Sequence, residues 1–312
     1  MGHVERIHRK LPYSLKKVLY VGIYRIPADK QVRWQWRLRF GSDLRLDQPQ
    51  TYNERIQWLK VFGERRPDVF GDVALARICA DKIAVRDYVA KEIGAEHLVP
   101  MLGAYSRLDE IPFENLPSSF VLKANHDSGS TVIVTDKSHM MVDQRRRLKA
   151  LSFRLGINYG RLTKEWVYTQ IVPRVIVEPL ISADHRKELW DYKVFVFSGE
   201  PRLIQVDVDR FGNHRRSFYT PDWKKADLAI LYPPAEQEIP RPAPLKEVLE
   251  YSARLAEPFR HARVDWYVWQ DRPLFGEITF FHESGFAPFS DHRWELEMGR
   301  WLAWDAPTMA EA

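Results

Sequence analysis

The clearest pattern of polar and apolar positions is a symmetric arrangement on either side of a turn at residues 270–273. An antiparallel hairpin centred on that turn places Asp265 opposite Glu277. It also places Arg263 opposite Thr279 on the same face, because side chains along a strand repeat every two residues. The pattern therefore predicts two carboxylates facing each other across a strand pair.

Two carboxylates in that position repel each other unless one is protonated or a cation lies between them. Val264 and Ile278 face the other way and are predicted to enter a core. Mg²⁺ prefers oxygen ligands, is often held by one or two carboxylates, and completes its shell with water and phosphate oxygens. The hairpin thus predicts a metal–nucleotide site. A solvated face, on which Arg263 and Arg272 neutralise the two acids, explains the pattern equally well when it is taken alone.

Other stretches predict a mixture of helices and strands. Thr51 and Glu54 have the spacing of a capping box and predict a helix that continues through Leu59. Polar pairs such as Asp81–Lys82 either face a cleft or form surface ion pairs, and surface pairing is favoured for that segment alone. The same reasoning predicts helices over residues 73–93, 140–166 and 245–256, and strands over residues 120–125, 131–134, 174–180, 191–197 and 202–208.

The turn between the first two predicted strands, residues 126–130, is small and polar. Its backbone amides and the hydroxyls of Ser128 and Ser130 suit the phosphates of a nucleotide, with Lys123 as a point charge. An ordinary turn has the same composition, so both interpretations stay open.

Length and cysteine content limit the classes of protein. A chain of 312 residues is long enough for two or three subdomains. Its one cysteine, Cys79, excludes an intramolecular disulfide and an all-cysteine metal cluster. There is no apolar run of about 18 residues, and residues 1–30 lack a signal-peptide pattern. We therefore expect a cytoplasmic protein.

Positive charge is concentrated in residues 1–40. This segment carries ten lysine and arginine residues against Glu5 and Asp29, a net charge of +8, whereas the whole chain has a net charge of +5. Its apolar and aromatic residues suit either an interfacial helix on the inner face of a membrane or docking onto the protein itself, and docking is favoured. Nucleic acid binding is not expected, because the basic excess ends with this segment and no nucleic-acid-binding motif follows.

Several short blocks in a fixed order resemble the TupA-like branch of the ATP-grasp superfamily, which is associated with teichuronopeptide and other cell-surface polysaccharide biosynthesis. The resemblance covers roughly residues 50–295. It is carried by Thr51–Glu54, Gln57–Leu59, Asp81–Lys82, Val85–Arg86, Phe120–His126, Ser128–Gly129, Glu178, Asp191–Lys193, Arg263–Asp265 and Gly276–Phe280.

The resemblance implies an α+β fold in which two α+β subdomains with antiparallel sheets clasp ATP, preceded by an N-terminal pre-domain. It divides the chain into a basic amphipathic arm over residues 1–40, a pre-ATP-grasp domain over 41–117, a small subdomain over 118–180 and a large subdomain over 181–312. The small subdomain then carries the lid and nucleotide hinge, and the large one carries the Mg·ATP and acceptor site.

The resemblance also implies roles for individual residues. Lys82 and Lys123 match the two phosphate-binding lysines, while Lys193 and Asp191 lie near the nucleotide. Arg263 steadies the reacting oxygens together with Lys123 and Lys193. The implied lid is His126, Ser128, Gly129 and Ser130; the implied hinge contacts are Glu178 and Leu180; and the implied ligands of Mg²⁺ (or Mn²⁺) are Asp265, Glu277 and Thr279. Thr279 stands where the wider superfamily commonly has Asn, which puts a second metal site in question.

The chemistry implied is an ADP-forming carboxylate–amine ligation through an acyl phosphate. The partners implied are a small-molecule or lipid-linked glycan carboxylate and an amino acid or peptide amine. Two alternatives stay open: an ATP-grasp phosphotransferase that acts on a sugar hydroxyl, and a non-catalytic module that binds glycan or nucleic acid. The sequence does not indicate an oligomeric state.

Overall fold

The computed structural model describes residues 12–139, 142–181, 189–209 and 212–304. Its α-helices are α1 Tyr13–Tyr24, α2 Ala28–Phe40, α3 Tyr52–Phe62, α4 Pro67–Phe70, α5 Val73–Ala80, α6 Val85–Ile93, α7 Val142–Leu155, α8 Tyr159–Thr163, α9 Leu245–Ala256 and α10 His292–Trp301. Its strands are β1 Gly103–Tyr105, β2 Phe120–Ala124, β3 Val132–Val134, β4 Val175–Pro179, β5 Asp191–Phe197, β6 Glu200–Val208, β7 Arg215–Tyr219, β8 His261–Trp269 and β9 Arg272–Thr279.

The chain forms two compact units. The first combines Met1–Gly41 with Met101–Leu180, and the second combines Ser42–Pro100 with Ile181–Ala312. Each unit contains one antiparallel sheet together with helices, which confirms the predicted α+β class. The four-segment division drawn from the sequence stays a prediction.

The sheet of the first unit has the strand order β1-β4-β2-β3. Buried side chains alternate along β2, where Phe120 and Leu122 enter a core shared with Val175 and Val177 of β4. Leu151 of α7 packs into the same core, so that this helix covers the apolar face of the sheet.

The sheet of the second unit has the strand order β7-β6-β5-β8-β9. Helix α9 packs against one face, where Trp266 of β8 donates a hydrogen bond from Nε1 to Ser252 Oγ at 2.8 Å. Val264 and Ile278 are buried, as the hairpin pattern predicts. The opposite face carries the polar residues of β5, β6, β7, β8 and β9.

The predicted hairpins and the helix that begins at the capping box are confirmed. Thr51 accepts a hydrogen bond from the Glu54 amide, and Glu54 accepts one from the Thr51 amide. The single helix predicted over residues 73–93 is wrong. Asp81 accepts the amide hydrogen of Ile83 through Oδ1 at 2.8 Å, which forms a turn between α5 and α6.

Two further differences from the sequence prediction concern helices and strands whose apolar pattern is weak. The segment 140–166 contains α7 and the short α8, which are separated because Asn158 caps the second helix by accepting the Arg161 amide at 2.9 Å. Strands β1 and β7 lie outside the segments that the pattern predicts as strands. β1 has three residues, and β7 begins at the two arginines Arg215 and Arg216, so neither shows clear alternation.

The docking favoured for the basic N-terminal segment is only partly confirmed. Val32 and Trp36 of α2 are buried, but no residue of α1 is buried. Leu15 and Val18 of α1 keep 53% and 73% of their surface exposed. None of the helices formed by the described residues is long and apolar enough to cross a bilayer.

Candidate active site

The predicted hairpin has the expected register at its polar end. Arg263 pairs with Thr279 and Asp265 pairs with Glu277 across β8 and β9. The turn is shorter than predicted. It consists of Gln270 and Asp271, because β9 already begins at Arg272. The two residues have φ angles of 51° and 55°, as in the type I′ turns that match the twist of paired strands.

A β-bulge beside Asp265 explains how a two-residue turn is compatible with the predicted pairing of Asp265 and Glu277. The pairing shifts by one residue between Asp265 and Trp266, opposite Gly276. A Cβ atom at Gly276 would lie 3.0 Å from the Asp265 backbone oxygen, so a residue without a side chain fits the bulge best. The bulge keeps Asp265 and Glu277 on one face even though the turn has only two residues.

Asp265 accepts three charged hydrogen bonds on this face. Its Oδ1 accepts from Arg263 Nε at 2.7 Å, and its Oδ2 accepts from Arg263 Nη2 at 2.7 Å. Lys193 Nζ donates to Oδ2 at 2.8 Å. Asp265 is buried, so these charged hydrogen bonds lie out of contact with bulk water.

Lys193 connects Asp265 to the next strands of the sheet. Its Nζ lies 3.4 Å from Asp191 Oδ1 and 3.9 Å from Asp207 Oδ2. Its side chain is only 4% exposed, so these three carboxylates supply the negative charge that offsets the buried ammonium group. The structure thus brings the predicted residues Asp191, Lys193 and Asp265 together.

Asp207 and Arg216 extend the network toward the sheet edge and were not identified from the sequence. Arg216 Nε donates to Asp207 Oδ1 at 2.7 Å, and Arg216 Nη1 donates to Glu283 at 2.9 Å. Burial alone would raise the pKa of Asp207, but the adjacent His214 imidazole, 3.1 Å away, and the charges of Arg216 and Lys193 hold that pKa well below its usual range. Asp207 lies in the predicted strand 202–208, but nothing in its local sequence marks a partner on β7.

Glu277 and Thr279 complete the hairpin side of the face. Glu277 Oε2 lies 3.2 Å from Lys82 Nζ, and Glu277 Oε1 lies 3.6 Å from Arg263 Nη2. Thr279 Oγ1 accepts from Arg263 at 3.2 Å and donates to Glu277 Oε1 at 3.4 Å. Lys82 therefore points to the sheet rather than forming the surface ion pair favoured for its segment.

Arg263 is held from its other side by His282. Arg263 Nη1 donates to His282 Nδ1 at 2.6 Å, so that this nitrogen is the unprotonated one. Burial and the charges of Arg263 and Arg216 lower the pKa of His282 well below its usual range. Burial would lower the pKa of Arg263, but Asp265 and Glu277 outweigh it and raise that pKa. The pair is thus a neutral imidazole and a charged guanidinium.

The loop that carries His282 has a strained backbone. Glu283 and Ser284 have positive φ angles of 47° and 55°, followed by Gly285 at 68°. Gln57 Nε2 of α3 donates to the carbonyl oxygens of Ser284 and Gly285, both at 2.8 Å. These bonds hold the loop in a conformation that non-glycine residues rarely adopt.

In the first unit, Lys123 and Glu178 are brought together. They lie on the paired strands β2 and β4, and Lys123 Nζ is 2.7 Å from Glu178 Oε2. Leu180 is half-buried just beyond β4. The structure places these residues in the unit that does not contain Lys82 and Lys193.

The predicted lid lies between β2 and β3 and is bonded to α7. Asp127 is buried and accepts hydrogen bonds from Ser130 Oγ and from Arg154 Nε. Arg154 also donates to the Ser128 carbonyl oxygen at 2.8 Å. His126 is buried, whereas Ser128 and Gly129 are exposed. Asp127 and Arg154 were missed because their pairing spans 27 residues and has no local pattern.

The donor atoms of the second unit fit a hard cation. The face has a formal charge of −1, because its five carboxylates exceed its four lysine and arginine residues by one: Asp191, Asp207, Asp265, Glu277 and Glu283 against Lys82, Lys193, Arg216 and Arg263. The described residues contain no cluster of three or more His, Cys, Asp or Glu that would hold a metal by themselves. Two carboxylates fit Mg²⁺, which takes its other ligands from water and phosphate.

The α+β architecture, with one antiparallel sheet in each unit, agrees with the fold that the resemblance to the ATP-grasp superfamily implies. The family model described as TupA-like ATPgrasp matches residues 54–303. The chain therefore belongs to the TupA-like ATP-grasp family.

Solved structures of ATP-grasp ligases resemble the chain weakly. D-alanine–D-alanine ligase from Bacillus anthracis, complexed with ATP, is 17% identical over 68% of this chain and 58% of its own, with a TM-score of 0.40. The Helicobacter pylori D-alanine–D-alanine ligase is 12% identical over 80% and 67%, with a TM-score of 0.45. L-amino acid ligase from Bacillus licheniformis is 14% identical over 66% and 42%, with a TM-score of 0.39.

The chain spans a little over half the length of the Bacillus anthracis ligase and less than half of the Bacillus licheniformis ligase. At this level of similarity the activities of these proteins do not transfer to the present chain. No curated protein matches it.

Proposed function

We propose that the protein is an ATP-dependent, ADP-forming ligase that joins a carboxylate to an amine through an acyl phosphate. The observation that carries this proposal is the buried polar face on which Lys193 and Arg263 converge on Asp265, with Glu277 one strand away. Phosphoryl transfer requires positive groups that are in place before the substrate binds, next to oxygen ligands suited to Mg²⁺.

The roles proposed for individual residues are those that the family resemblance implies, and the contacts of these side chains support them. Asp265 and Glu277 would hold Mg²⁺ or Mn²⁺ with Thr279 beside them, and the bound metal would offset charge on the nucleotide phosphates. In the second unit, Lys82 and Lys193 bind phosphate oxygens, and Asp191 positions the ammonium group of Lys193.

In the first unit, Lys123 contributes a further phosphate contact, and Glu178 and Leu180 contact the adenosine. His126, Ser128, Gly129 and Ser130 form the loop proposed to cover the phosphates.

In the proposed reaction, a carboxylate oxygen of the acceptor attacks the γ-phosphorus of ATP. The bond from that phosphorus to the β,γ-bridging oxygen breaks, and ADP leaves. The amine then attacks the acyl carbon, inorganic phosphate leaves, and the nitrogen loses a proton. Arg263, Lys123 and Lys193 stabilise charge on the transferring oxygens, and no protein nucleophile is needed.

The substrate class rests on the family to which the chain belongs. We take the carboxylate to be on a precursor of a cell-surface polysaccharide, either small or lipid-linked, and the amine to be on an amino acid or a peptide. We therefore propose that the enzyme acts in the cytoplasm, where ATP is available.

The test is Mg²⁺-dependent ADP release with hydroxylamine in place of the amine, screened over uronic acids and amino acids. The proposal predicts a hydroxamate with the unmodified protein and a loss of at least roughly 10³-fold in Asp265→Asn, which removes a charge at the metal site. Asp271→Asn is the matched control, because Asp271 is exposed at the turn of the same hairpin and Asn tolerates its positive φ.

ADP release without hydroxamate on any acid, together with a phosphorylated sugar, would replace the ligase with a phosphotransferase that acts on a hydroxyl. Equal activity in Asp265→Asn and Asp271→Asn would contradict the role proposed for Asp265. No ADP release by the unmodified protein with any acid or sugar would contradict both enzymes and favour a binding module.

A further inference from the structure

We propose that helices α1 and α2 dock, through their exposed apolar and basic side chains, on the surface of a lipid bilayer rich in anionic phospholipid. The two helices then lie in the plane of the interface, with apolar side chains among the acyl chains and cations at the headgroups. This inference goes beyond the proposed ligase activity and does not depend on it.

Helix α1 is attached to the first unit through its aromatic side. Tyr13 stacks on Phe153 of α7, with ring centroids 4.4 Å apart. Tyr24 Oη accepts the amide hydrogen of Asn158 at 3.0 Å, and Lys164 Nζ donates to the Ile23 carbonyl oxygen at 3.0 Å. The helix is therefore a fixed part of the folded unit.

The opposite side of α1 is apolar and exposed. Leu15 is 53% exposed, Val18 is 73% exposed and Leu19 is 45% exposed. These spacings of three and four residues place the side chains on one stripe of the helix, and Ile26, 38% exposed, continues it just beyond the helix end. A contiguous apolar stripe on a surface marks an interaction site rather than ordinary scattered exposure.

Helix α2 adds a second exposed apolar pair. Val32 and Trp36 are buried, and Gln31 Nε2 donates to the Leu162 carbonyl oxygen at 2.8 Å, so one side of the helix is docked. Trp34 and Leu38, four residues apart, are 57% and 62% exposed. A tryptophan on such a face suits the membrane interface, where its ring contacts acyl chains and its N–H meets polar headgroups.

The charge around these apolar residues selects the partner. Residues 12–40 contain seven lysine and arginine residues and one acidic residue, Asp29, a net charge of +6. The exposed cations are Lys17, Arg25, Lys30, Arg33, Arg37 and Arg39. Anionic headgroups complement this charge. A second copy of the chain docked through the same helices would bring like charges together. A nucleic acid would leave the apolar side chains of α1 exposed to water.

The test is co-sedimentation with vesicles of phosphatidylcholine containing increasing phosphatidylglycerol, without nucleotide. Replacing Leu15 and Val18 together with Gln should weaken partition roughly tenfold or more, because two side chains no longer leave water. Replacing Arg33 and Arg37 with Gln should weaken it roughly fivefold per cation at low salt, and much less at high salt.

Matched controls lie elsewhere on the first unit. Val142 and Val172 are 84% and 68% exposed, and Arg145 and Arg146 are exposed on α7. Replacing either pair with Gln should leave partition within about twofold, because these positions lie outside the proposed face.

Equal loss in the control variants, or equal binding to pure phosphatidylcholine, would overturn the proposal. So would a dimer in sedimentation velocity that disappears in the Leu15→Gln/Val18→Gln variant while vesicles stay unbound. Hydroxamate formation with a water-soluble acid should be unchanged in all these variants, so a failure of membrane binding and a failure of the ligase proposal are separate results.

Discussion

The two sheets of the molecule carry charge in different ways. On the sheet of the first unit, Lys123 and Glu178 form one ion pair on the face opposite the apolar core. On the sheet of the second unit, four cations and five carboxylates form one connected network in which each group lies within 4 Å of an oppositely charged partner. The network covers all five strands, the loop after β9, and Lys82 between α5 and α6. Both sheets therefore bury ions, but only one buries a connected network.

This difference indicates what each set of charges is for. Breaking a buried network leaves several uncompensated ions, whereas apolar residues of similar size could stabilise a sheet as well. A connected, net-negative face is thus costly as a scaffold but suited to a site whose positive groups must already be in position when a phosphorylated substrate binds. The single Lys123–Glu178 pair of the first unit is not part of such a network, and it agrees with the proposal that these two residues contact the nucleotide.

The largest effect on stability is expected at the centre of the network. Asp207→Asn removes the buried carboxylate closest to Arg216 and one of the three around Lys193, and should lower the free energy of unfolding by about 3–5 kcal/mol. In thermal melts followed by circular dichroism, this corresponds to a fall of roughly 10 °C. Asp222→Asn, at an exposed position, should leave the melting temperature unchanged. If the melting temperatures of Asp207→Asn and Asp222→Asn were equal, the charges of the network would not depend on one another for stability.

Acid should weaken the second unit as the pH falls from about 6.5, where most carboxylates are still ionised. Burial lowers the pKa of His261 to about 4, whereas an unfolded histidine has a pKa near 6.5. Between these pH values the unfolded chain binds more protons, so the free energy of unfolding should fall by about 3 kcal/mol as the pH falls from 6.5 to 4. The low pKa of His282 acts in the same direction.

Urea denaturation at several pH values measures this slope. His261→Gln should flatten it, whereas His292→Gln, at an exposed position, should not. A slope that is unaffected by His261→Gln would show that the buried imidazole is not the group that takes up the proton.

The ion pair of the first unit should matter less. Lys123 is 17% exposed and pairs with one carboxylate, so Lys123→Met should lower the free energy of unfolding by about 1–2 kcal/mol. Lys149→Met on the exposed side of α7 is the matched control and should have no measurable effect. A loss as large as that of Asp207→Asn would remove the contrast between the two sheets.

The smallest effect is expected at the turn that sets the register of the hairpin. Gln270 and Asp271 both have positive φ, which costs non-glycine residues free energy. The double change Gln270→Asn/Asp271→Gly supplies the preferred type I′ sequence and should raise the free energy of unfolding by about 0.5 kcal/mol. A decrease in the urea midpoint would mean that the turn conformation does not limit the hairpin.

The sequence predicted the parts of the site that are encoded locally. The pairing of Asp265 with Glu277 follows from alternation on two adjacent strands and needed no tertiary information. The bulge at Gly276 was not predicted, because it depends on a two-residue turn whose positive φ angles are not evident from Gln270 and Asp271.

Other parts of the site were not predictable because their contacts join distant segments. Arg216 reaches Glu283 across 67 residues, and His282 contacts Arg263 from the loop after β9. Similarly, the exposure of Leu15 and Val18 depends on which side of α1 packs on Phe153, and composition does not determine that choice.

The most direct measurement is calorimetric titration of a non-hydrolysable ATP analogue with and without Mg²⁺, comparing the unmodified protein with Asp265→Asn and Asp271→Asn. If the polar face of the second unit holds Mg·ATP, binding should require Mg²⁺ and should be at least roughly tenfold weaker in Asp265→Asn, with Asp271→Asn unchanged. Equal, Mg²⁺-dependent binding by all three proteins would contradict the proposed site.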